Sequence, residues 1–306
     1  MYPPRFDYVV PRTVDEAVGL LDELGPEARV LAGGQSLIPL MRMRQAHPSH
    51  LLDLKVLPLA GIRTPAGDPT GETSITIGAM TTHASLERSP GLRERYPVLS
   101  DAARHIGDPV VRNLGTIGGA VAFAHPSGDW GPALMAVNAT FLVVGPRGER
   151  EISADDFFLN AGGPHANALE PSELLVEIRV ARRPRSGGAY AKFRRRVGDF
   201  AVVGVAVQVD LDDRGLIEDC GIAVTGVDLS YVRAHKAQEA LIGGRAGPDS
   251  LRLAARIVAE QSHPVSDHRG SAEWKREMVR VLALRSLGIA VIRAGMSLRG
   301  IPATAV

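Results

Sequence analysis

Two glycine-rich stretches hold the residues of this sequence that are best suited to binding chemistry. The first, Ala-Gly-Gly-Gln-Ser at residues 32–36, follows an apolar stretch and precedes a segment with helical character. Gly33 and Gly34 permit close approach of the backbone and unusual dihedral angles. A turn into a helix leaves backbone N–H groups free, and Ser36 is placed to cap that helix. The stretch predicts a tight turn that either binds an anion, most naturally a phosphate, or holds no ligand.

The second stretch is Arg-Asn-Leu-Gly-Thr-Ile-Gly-Gly-Ala-Val-Ala at residues 112–122. Glycines at this density weaken any regular element, and they indicate close packing or a bound ligand. Neither stretch matches the P-loop pattern or the G-x-G-x-x-G pattern. The glycines of the second stretch are Gly115, Gly118 and Gly119.

Asp129 follows shortly after the second stretch and has two open interpretations. Its carboxylate is suited to accept hydrogen bonds from hydroxyls, such as those of a ribityl chain. Alternatively, it caps the helix that begins near Pro132. His125, in the same segment, is expected to make an ordinary polar contact.

The composition narrows the class of protein. The 306 residues are 45% hydrophobic and 23% charged with a net charge of +1, which does not favour a polyanion such as nucleic acid as partner. The single cysteine, Cys220, lies in an apolar stretch and is expected to be a buried small residue. One cysteine forms no intrachain disulfide and cannot by itself ligate an iron–sulfur cluster.

No set of acid–base or metal-binding residues stands out. The nine histidines lack metal-ligand spacing, and no nucleophile motif is present. Two turns suited to anions and few acid–base groups favour a bound cofactor that carries the chemistry itself. The sequence also shows no secretory segment and no apolar run long enough to span a membrane, so a cytoplasmic location is expected.

The elements that position these stretches predict an α+β protein. Thr13 and Glu16 form a capping box for a helix that stops at Gly25-Pro26. Short strands and helices follow to about residue 178, among them two helical pieces within residues 82–107 and a hairpin over residues 140–153 with its turn at Pro146-Arg147-Gly148. Residues 181–188 form a loop by composition. The predicted domains are 1–178, with lobes at about 1–55 and 56–178, and 179–306, with three antiparallel strands and helices at 236–242, 249–261 and 272–294.

Four stretches, in this order and spacing, closely resemble one protein family. They are VLAGGQSLIPLMRMR, ITIGAMTTHASLE, DPVVRNLGTIGGAVAFAHPSGDWGPALMAV and DHRGSAEWKREM. The family is the FAD-binding medium subunit of molybdenum hydroxylases, which includes the carbon monoxide dehydrogenase flavoprotein subunit and the FAD domain of xanthine dehydrogenase. The resemblance implies a two-lobed PCMH-type FAD-binding domain, a C-terminal flavoprotein domain, and FAD held in the cleft between them.

The resemblance also implies which residues contact FAD. Gln35 and Ala120 depart from the family pattern, which has His in some members at the first position and Asn, Asp or Ser in several at the second. Trp130 is unusual in its segment and receives no role. The implied cofactor-binding residues are Ala32, Gly33, Gly34, Gln35, Ser36, Thr116, Ile117, Gly118, Gly119, Ala120, Asp129, Leu175 and Lys192.

The function implied by the resemblance is electron transfer without a catalytic acid or base on this chain. A large molybdopterin-binding subunit would oxidise the substrate, and [2Fe–2S] clusters on a small subunit would pass electrons to FAD. The three chains would form a heterotrimer that dimerises to a heterohexamer. Two alternatives stay open: a flavin- or nucleotide-binding interaction module without redox turnover, and a self-contained FAD-dependent oxidoreductase.

Overall fold

The computed structural model describes residues 2–63, 74–159, 165–181 and 185–296. Its strands form three separate sheets, one in each part of the predicted architecture. The strands are β1 Asp7–Val9, β2 Ala28–Leu31, β3 His50–Asp53, β4 Ile62–Arg63, β5 Ile75–Gly78, β6 Thr140–Gly145, β7 Gly148–Ser153, β8 Leu174–Val180, β9 Ser186–Phe193, β10 Val203–Leu211, β11 Ile217–Thr225 and β12 Val232–Arg233. The α-helices are α1 Val14–Leu24, α2 Leu37–Arg42, α3 His83–Arg88, α4 Pro90–Arg95, α5 Pro97–His105, α6 Pro109–Leu114, α7 Ile117–Phe123, α8 Trp130–Ala136, α9 Ala154–Leu159, α10 His235–Glu239, α11 Pro248–Gln261 and α12 Ala272–Arg293.

The first lobe is a three-stranded parallel sheet in the order β1-β3-β2. One half of the capping box predicted for α1 is confirmed, since the Glu16 backbone N–H donates to the Thr13 hydroxyl oxygen at 3.1 Å. The Glu16 carboxylate accepts from the backbone N–H of Arg12, at 2.7 Å, rather than from Thr13 itself. The helix ends at Gly25, whose φ of 53° suits glycine.

The second lobe combines a five-stranded antiparallel sheet with a run of short helices. The predicted hairpin is confirmed by β6 and β7, which pair from Thr140 and Ser153 to Gly145 and Gly148. Three helices, α3 to α5, replace the two expected in this region, because Pro90 and Pro97 each begin a new helix. Proline lacks the N–H that a helix interior needs but suits the first turn.

The C-terminal domain contains the three predicted strands, β9 to β11, in one antiparallel sheet. The two-residue strand β12 adds a fourth position at the β11 edge. The loop predicted at residues 181–188 is wrong at its end, because β9 begins at Ser186; residues 182–184 lie outside the described residues. A Cβ at Gly187 would overlap the carbonyl oxygen of Ala290, so glycine here lets α12 lie against the strand.

The C-terminal sheet packs against helices of the second lobe. Helix α8 contacts β10 and β11, and α5 contacts β9. The approach is close, since a Cβ at Gly221 would overlap the carbonyl oxygen of Ala136. Cys220 is buried on β11, as expected, and burial raises the pKa of its thiol. Strand β8 ends two residues beyond the boundary predicted at residue 178.

Among the residues that the structure describes, no helix has the length and apolar character needed to cross a membrane.

Candidate functional site

The two glycine-rich stretches, distant in the sequence, lie in contact. A Cβ at Gly33 would overlap the carbonyl oxygen of Leu114 and come within 2.7 Å of the Gly115 Cα. A Cβ at Gly119 would lie 3.5 Å from the Cβ of Ala32. The turn after β2 therefore packs against the link between α6 and α7, and glycine is what allows this approach.

The turn at residues 32–36 offers a set of free donors. Within the described part of the chain, the backbone N–H groups of Gly33, Gly34, Gln35 and Ser36 donate no hydrogen bond. The Gln35 side-chain amide donates to the Gly33 carbonyl oxygen at 3.0 Å, and Gly34 has a φ of 70°. Successive free N–H groups in a glycine turn suit a phosphate oxygen, so the residues present fit one half of a dinucleotide cofactor.

Ser36 does not cap α2, and that prediction is wrong. It occupies the N-cap position with φ −109° and ψ −49°, and its side chain makes no capping hydrogen bond. An N-cap residue normally has extended backbone angles that direct its side-chain oxygen at the first turn, and Ser36 has already turned toward helix.

In the second stretch, three successive backbone N–H groups already donate hydrogen bonds to other groups of the protein. The backbone N–H groups of Ile117 and Gly118 donate to the carbonyl oxygens of Thr81 and Ala79, at 3.0 and 2.8 Å. The Gly119 N–H donates to the Thr116 hydroxyl at 3.2 Å, which caps α7. This stretch lies against the first turn at Gly115 and Gly119. The half-buried Ala120 lies on the same helix.

Asp129 lies in a buried network and does not cap its helix. It directly precedes α8 and makes no side-chain capping bond. Its Oδ1 accepts from the Tyr190 hydroxyl at 2.6 Å, and its Oδ2 accepts from Lys192 Nζ at 2.9 Å. The side chains of Asp129 and Lys192 are only 5% and 1% exposed. Burial raises the pKa of Asp129, and the Lys192 ammonium and the Tyr190 hydroxyl oppose that rise.

Lys192 also joins β9 to the end of α5. Its Nζ donates to the His105 carbonyl oxygen at 3.1 Å, and Arg194 donates to the same oxygen. Tyr190 and His105 are two residues of this network that were not predicted from the sequence. The sequence pattern does indicate Tyr190, because residues two apart on a strand lie on the same face and Tyr190 precedes Lys192 by two residues.

The remaining predicted contacts differ in their surroundings. Leu175 lies on β8 with 4% exposure and packs in the main hydrophobic cluster together with Ile117. The His125 Nδ1 accepts from the Ser127 backbone N–H at 3.0 Å, which is the polar contact expected of it. The His125 ring stacks on Phe200 with 3.8 Å between centroids.

Trp130 supports the second stretch through His83. Its indole N–H donates to the His83 Nδ1 at 3.1 Å, and both side chains are buried. The backbone N–H of His83 donates to the Gly115 carbonyl oxygen at 2.9 Å. A Cβ at Gly115 would lie 2.9 Å from the His83 ring. The hydrogen bond to His83 therefore gives Trp130 a structural role, which its sequence context did not indicate.

His83 makes the stability of the protein sensitive to acid. Burial, with the nearby Arg112 charge, lowers the pKa of His83 from 6.5 to about 4. Between these two values the unfolded chain binds the proton and the folded chain does not, so stability falls as the pH drops from 6.5 toward 4. We expect a loss of about 3 kcal/mol from this residue, measured by urea unfolding at several pH values.

The control for this prediction is His83→Gln, which has no titrating group at this position. Its unfolding free energy is expected to decline less over the same range. Part of the decline will persist, because burial also lowers the pKa of His105 to about 3 and that of His125 to about 4. Equal slopes for the two proteins would contradict the assignment to His83.

Comparison with known proteins accounts for nearly the whole chain. A family model described as the FAD binding domain in molybdopterin dehydrogenase matches residues 4–182. A second model, the CO dehydrogenase flavoprotein C-terminal domain, matches residues 188–290.

Individual relatives agree with the family models. The carbon monoxide dehydrogenase medium chain of Hydrogenophaga pseudoflava is 40% identical over 96% of this chain and 99% of its own. The 6-hydroxypseudooxynicotine dehydrogenase complex subunit alpha of Paenarthrobacter nicotinovorans is 36% identical over 96% and 97%. A solved structure of the Hydrogenophaga pseudoflava carbon monoxide dehydrogenase, lacking the Mo-pyranopterin moiety, superposes with a TM-score of 0.89 over 96% of this chain and 99% of that one.

Proposed function

Because this chain belongs to the family of FAD-binding medium subunits of molybdenum hydroxylases, we propose that it transfers electrons through FAD within such a complex. In this proposal the chain holds FAD where it would receive electrons from [2Fe–2S] clusters of a small subunit and deliver them to an external acceptor. The redox chemistry is supplied by FAD when it is bound, and the protein binds it, orients it and sets its surroundings.

One observation carries the proposal: the free N–H groups of residues 33–36 lie beside the backbone surface around Gly119. We propose that the first turn binds the pyrophosphate through Gly33, Gly34, Gln35 and Ser36, with Ala32 beside them. Residues 116–120 close the other side, where Gly119 leaves no side chain in the way, while Gly118 packs against Ala79.

Asp129, Lys192 and Leu175 are proposed to serve the flavin half of the cofactor. The carboxylate of Asp129 accepts hydrogen bonds, and an ionised carboxylate retains free acceptor capacity beyond the two bonds it makes here. The Lys192 ammonium provides positive charge in a buried setting, where charge acts more strongly than in water. The division into an FAD-binding domain to about residue 178 and a C-terminal domain is likewise a proposal.

The proposed partners are a large molybdopterin-binding subunit and a small [2Fe–2S] subunit, as a heterotrimer that dimerises. The relatives named above are a medium chain and a subunit of dehydrogenase complexes. The single cysteine supports this division of labour, because one thiolate cannot hold the clusters. We propose that the large subunit selects the substrate.

The test is to produce the chain with and without its two proposed partners and to record the visible spectrum. We expect an oxidised-flavin spectrum that dithionite bleaches, with FAD released on denaturation. In the complex, substrate is expected to bleach the same spectrum. A colourless protein that takes up no FAD with or without the partners would contradict the proposal. Flavin that binds but is never reduced by substrate in the complex would favour an interaction module.

A further inference from the structure

We propose that Tyr190 is a positioning residue that holds the Asp129 carboxylate in the orientation required by the flavin half of the cofactor. The inference rests on the proposed function, because it assigns Asp129 to FAD. It adds a residue outside the two glycine-rich stretches and outside the residues assigned from the sequence.

Each oxygen of the Asp129 carboxylate accepts a hydrogen bond from a different side chain. Tyr190 binds Oδ1 at 2.6 Å and Lys192 binds Oδ2 at 2.9 Å. With Lys192 alone, the carboxylate would be free to rotate about its last bond. Two donors on different oxygens fix the plane of the group, so the acceptor sites that remain face a defined direction.

Tyr190 is itself held tightly in place. It is 1% exposed on β9, and its ring lies edge-on to that of His105 with 5.9 Å between centroids. A Cβ at Gly204, on the adjacent strand β10, would overlap the Tyr190 hydroxyl. Glycine at this position therefore leaves room for the hydroxyl, whose buried O–H needs the acceptor that Asp129 provides.

An unpartnered buried nitrogen lies in the same network. The His105 Nε2 is buried and has no hydrogen-bond partner among the residues that the structure describes. The carbonyl oxygen of this residue accepts from Lys192, and its ring contacts Tyr190. A buried polar atom without a partner costs free energy, and a polar ligand beside the network would supply one.

The experiment compares the wild-type chain with Tyr190→Phe, which removes only the hydroxyl. Apoprotein is titrated with FAD, and binding is followed by quenching of flavin fluorescence. We expect the dissociation constant of FAD to rise about tenfold, as for one hydrogen bond to a charged group. ADP, which carries the adenine and phosphates but no ribityl chain, is used as a competitor, and its affinity is expected to stay unchanged.

The matched control is Tyr231→Phe. Tyr231 is also buried, and its hydroxyl donates to the His125 carbonyl oxygen at 2.8 Å rather than to Asp129. The FAD affinity of the Tyr231→Phe variant is expected to stay within about twofold of wild type, although this variant also loses one buried hydrogen bond. Thermal unfolding of both variants establishes that each is folded.

Each outcome decides a different point. An unchanged FAD affinity in Tyr190→Phe would overturn the inference while leaving the proposed function in place. Equal weakening of FAD and ADP would also overturn it, because the defect would then be a general loss of structure. A wild-type protein that binds no FAD would instead overturn the proposed function.

Discussion

Gly33→Val is expected to abolish FAD binding, lowering the affinity by on the order of 100-fold or more. A Cβ at this position would overlap the Leu114 carbonyl oxygen, which belongs to the backbone and cannot move aside as a side chain would. The two glycine-rich stretches must then separate. The N–H groups of the first turn would no longer face the surface around Gly119, so several hydrogen bonds to the pyrophosphate are lost together.

Gly119→Val is expected to weaken FAD binding less than Gly33→Val does. A Cβ at Gly119 would meet the Thr116 hydroxyl at 2.9 Å and the Ala32 Cβ at 3.5 Å, which are side-chain atoms. These neighbours have more freedom to adjust, so the loss of FAD affinity is expected to be smaller than for Gly33. The measurement is the FAD content of the purified protein together with titration of the apoprotein.

Gly19→Ala is the control for a glycine substitution. Gly19 lies within α1, and a Cβ there would meet nothing within 4 Å. Alanine favours a helix over glycine by up to about 1 kcal/mol, so this variant is expected to keep its FAD and to unfold at a slightly higher temperature. If Gly33→Val retained stoichiometric flavin, the assignment of the first turn to FAD would be wrong.

Lys192→Met is expected to lower the free energy of unfolding by about 3–5 kcal/mol near neutral pH. The substitution preserves much of the side-chain volume and removes the positive charge. Asp129 would remain buried with only the Tyr190 hydroxyl as partner. Without the lysine, the buried carboxylate has no counter-charge, and keeping it ionised raises the free energy of the folded state.

The pH dependence of this loss has a definite sign. Burial already raises the pKa of Asp129 above its ordinary 3.8, and removing the ammonium raises it further. A carboxyl group whose pKa is higher in the folded than in the unfolded state stabilises the folded protein at low pH. That stabilisation is lost as the pH rises through the folded-state pKa. The difference between wild type and Lys192→Met is therefore expected to be largest near neutral pH and to shrink toward pH 4.

The double variant Asp129→Leu with Lys192→Met separates charge from packing. Removing both charges leaves no unpaired ion, although the Tyr190 hydroxyl loses its acceptor, so the double variant is expected to recover part of the stability lost by the single variant. Urea unfolding of the three proteins at neutral and acidic pH measures this. A single variant as stable as wild type at neutral pH would show that the ion pair contributes little.

Local patterns predicted several elements correctly. Thr13, Glu16 and Gly25 bound the first helix through neighbouring hydrogen bonds, and the Pro146-Arg147-Gly148 turn joins the predicted hairpin. These interactions join residues close in the chain, so residue type and spacing are enough to indicate them. Ser36 shows the limit, because capping depends on backbone angles that the residue type does not specify.

The contacts that complete the candidate site join residues far apart in the chain. Tyr190 with Asp129, Trp130 with His83, and Gly33 with Leu114 each depend on how whole elements pack. For these contacts, the one signal present in the sequence is the strand periodicity that places Tyr190 and Lys192 on the same face. No local signal indicates which helix end a buried lysine will reach.

By itself, the sequence indicated the family, the two glycine-rich stretches and a single cysteine, which is too few to hold an iron–sulfur cluster. These follow from residue types and their spacing, which do not depend on packing. Only the tertiary structure decided that Gly33 lies against the Leu114–Gly115 backbone and that Asp129 is shared between Tyr190 and Lys192. The physical reason is that steric fit and buried charge pairing exist only once α8, β9 and the turns are packed together.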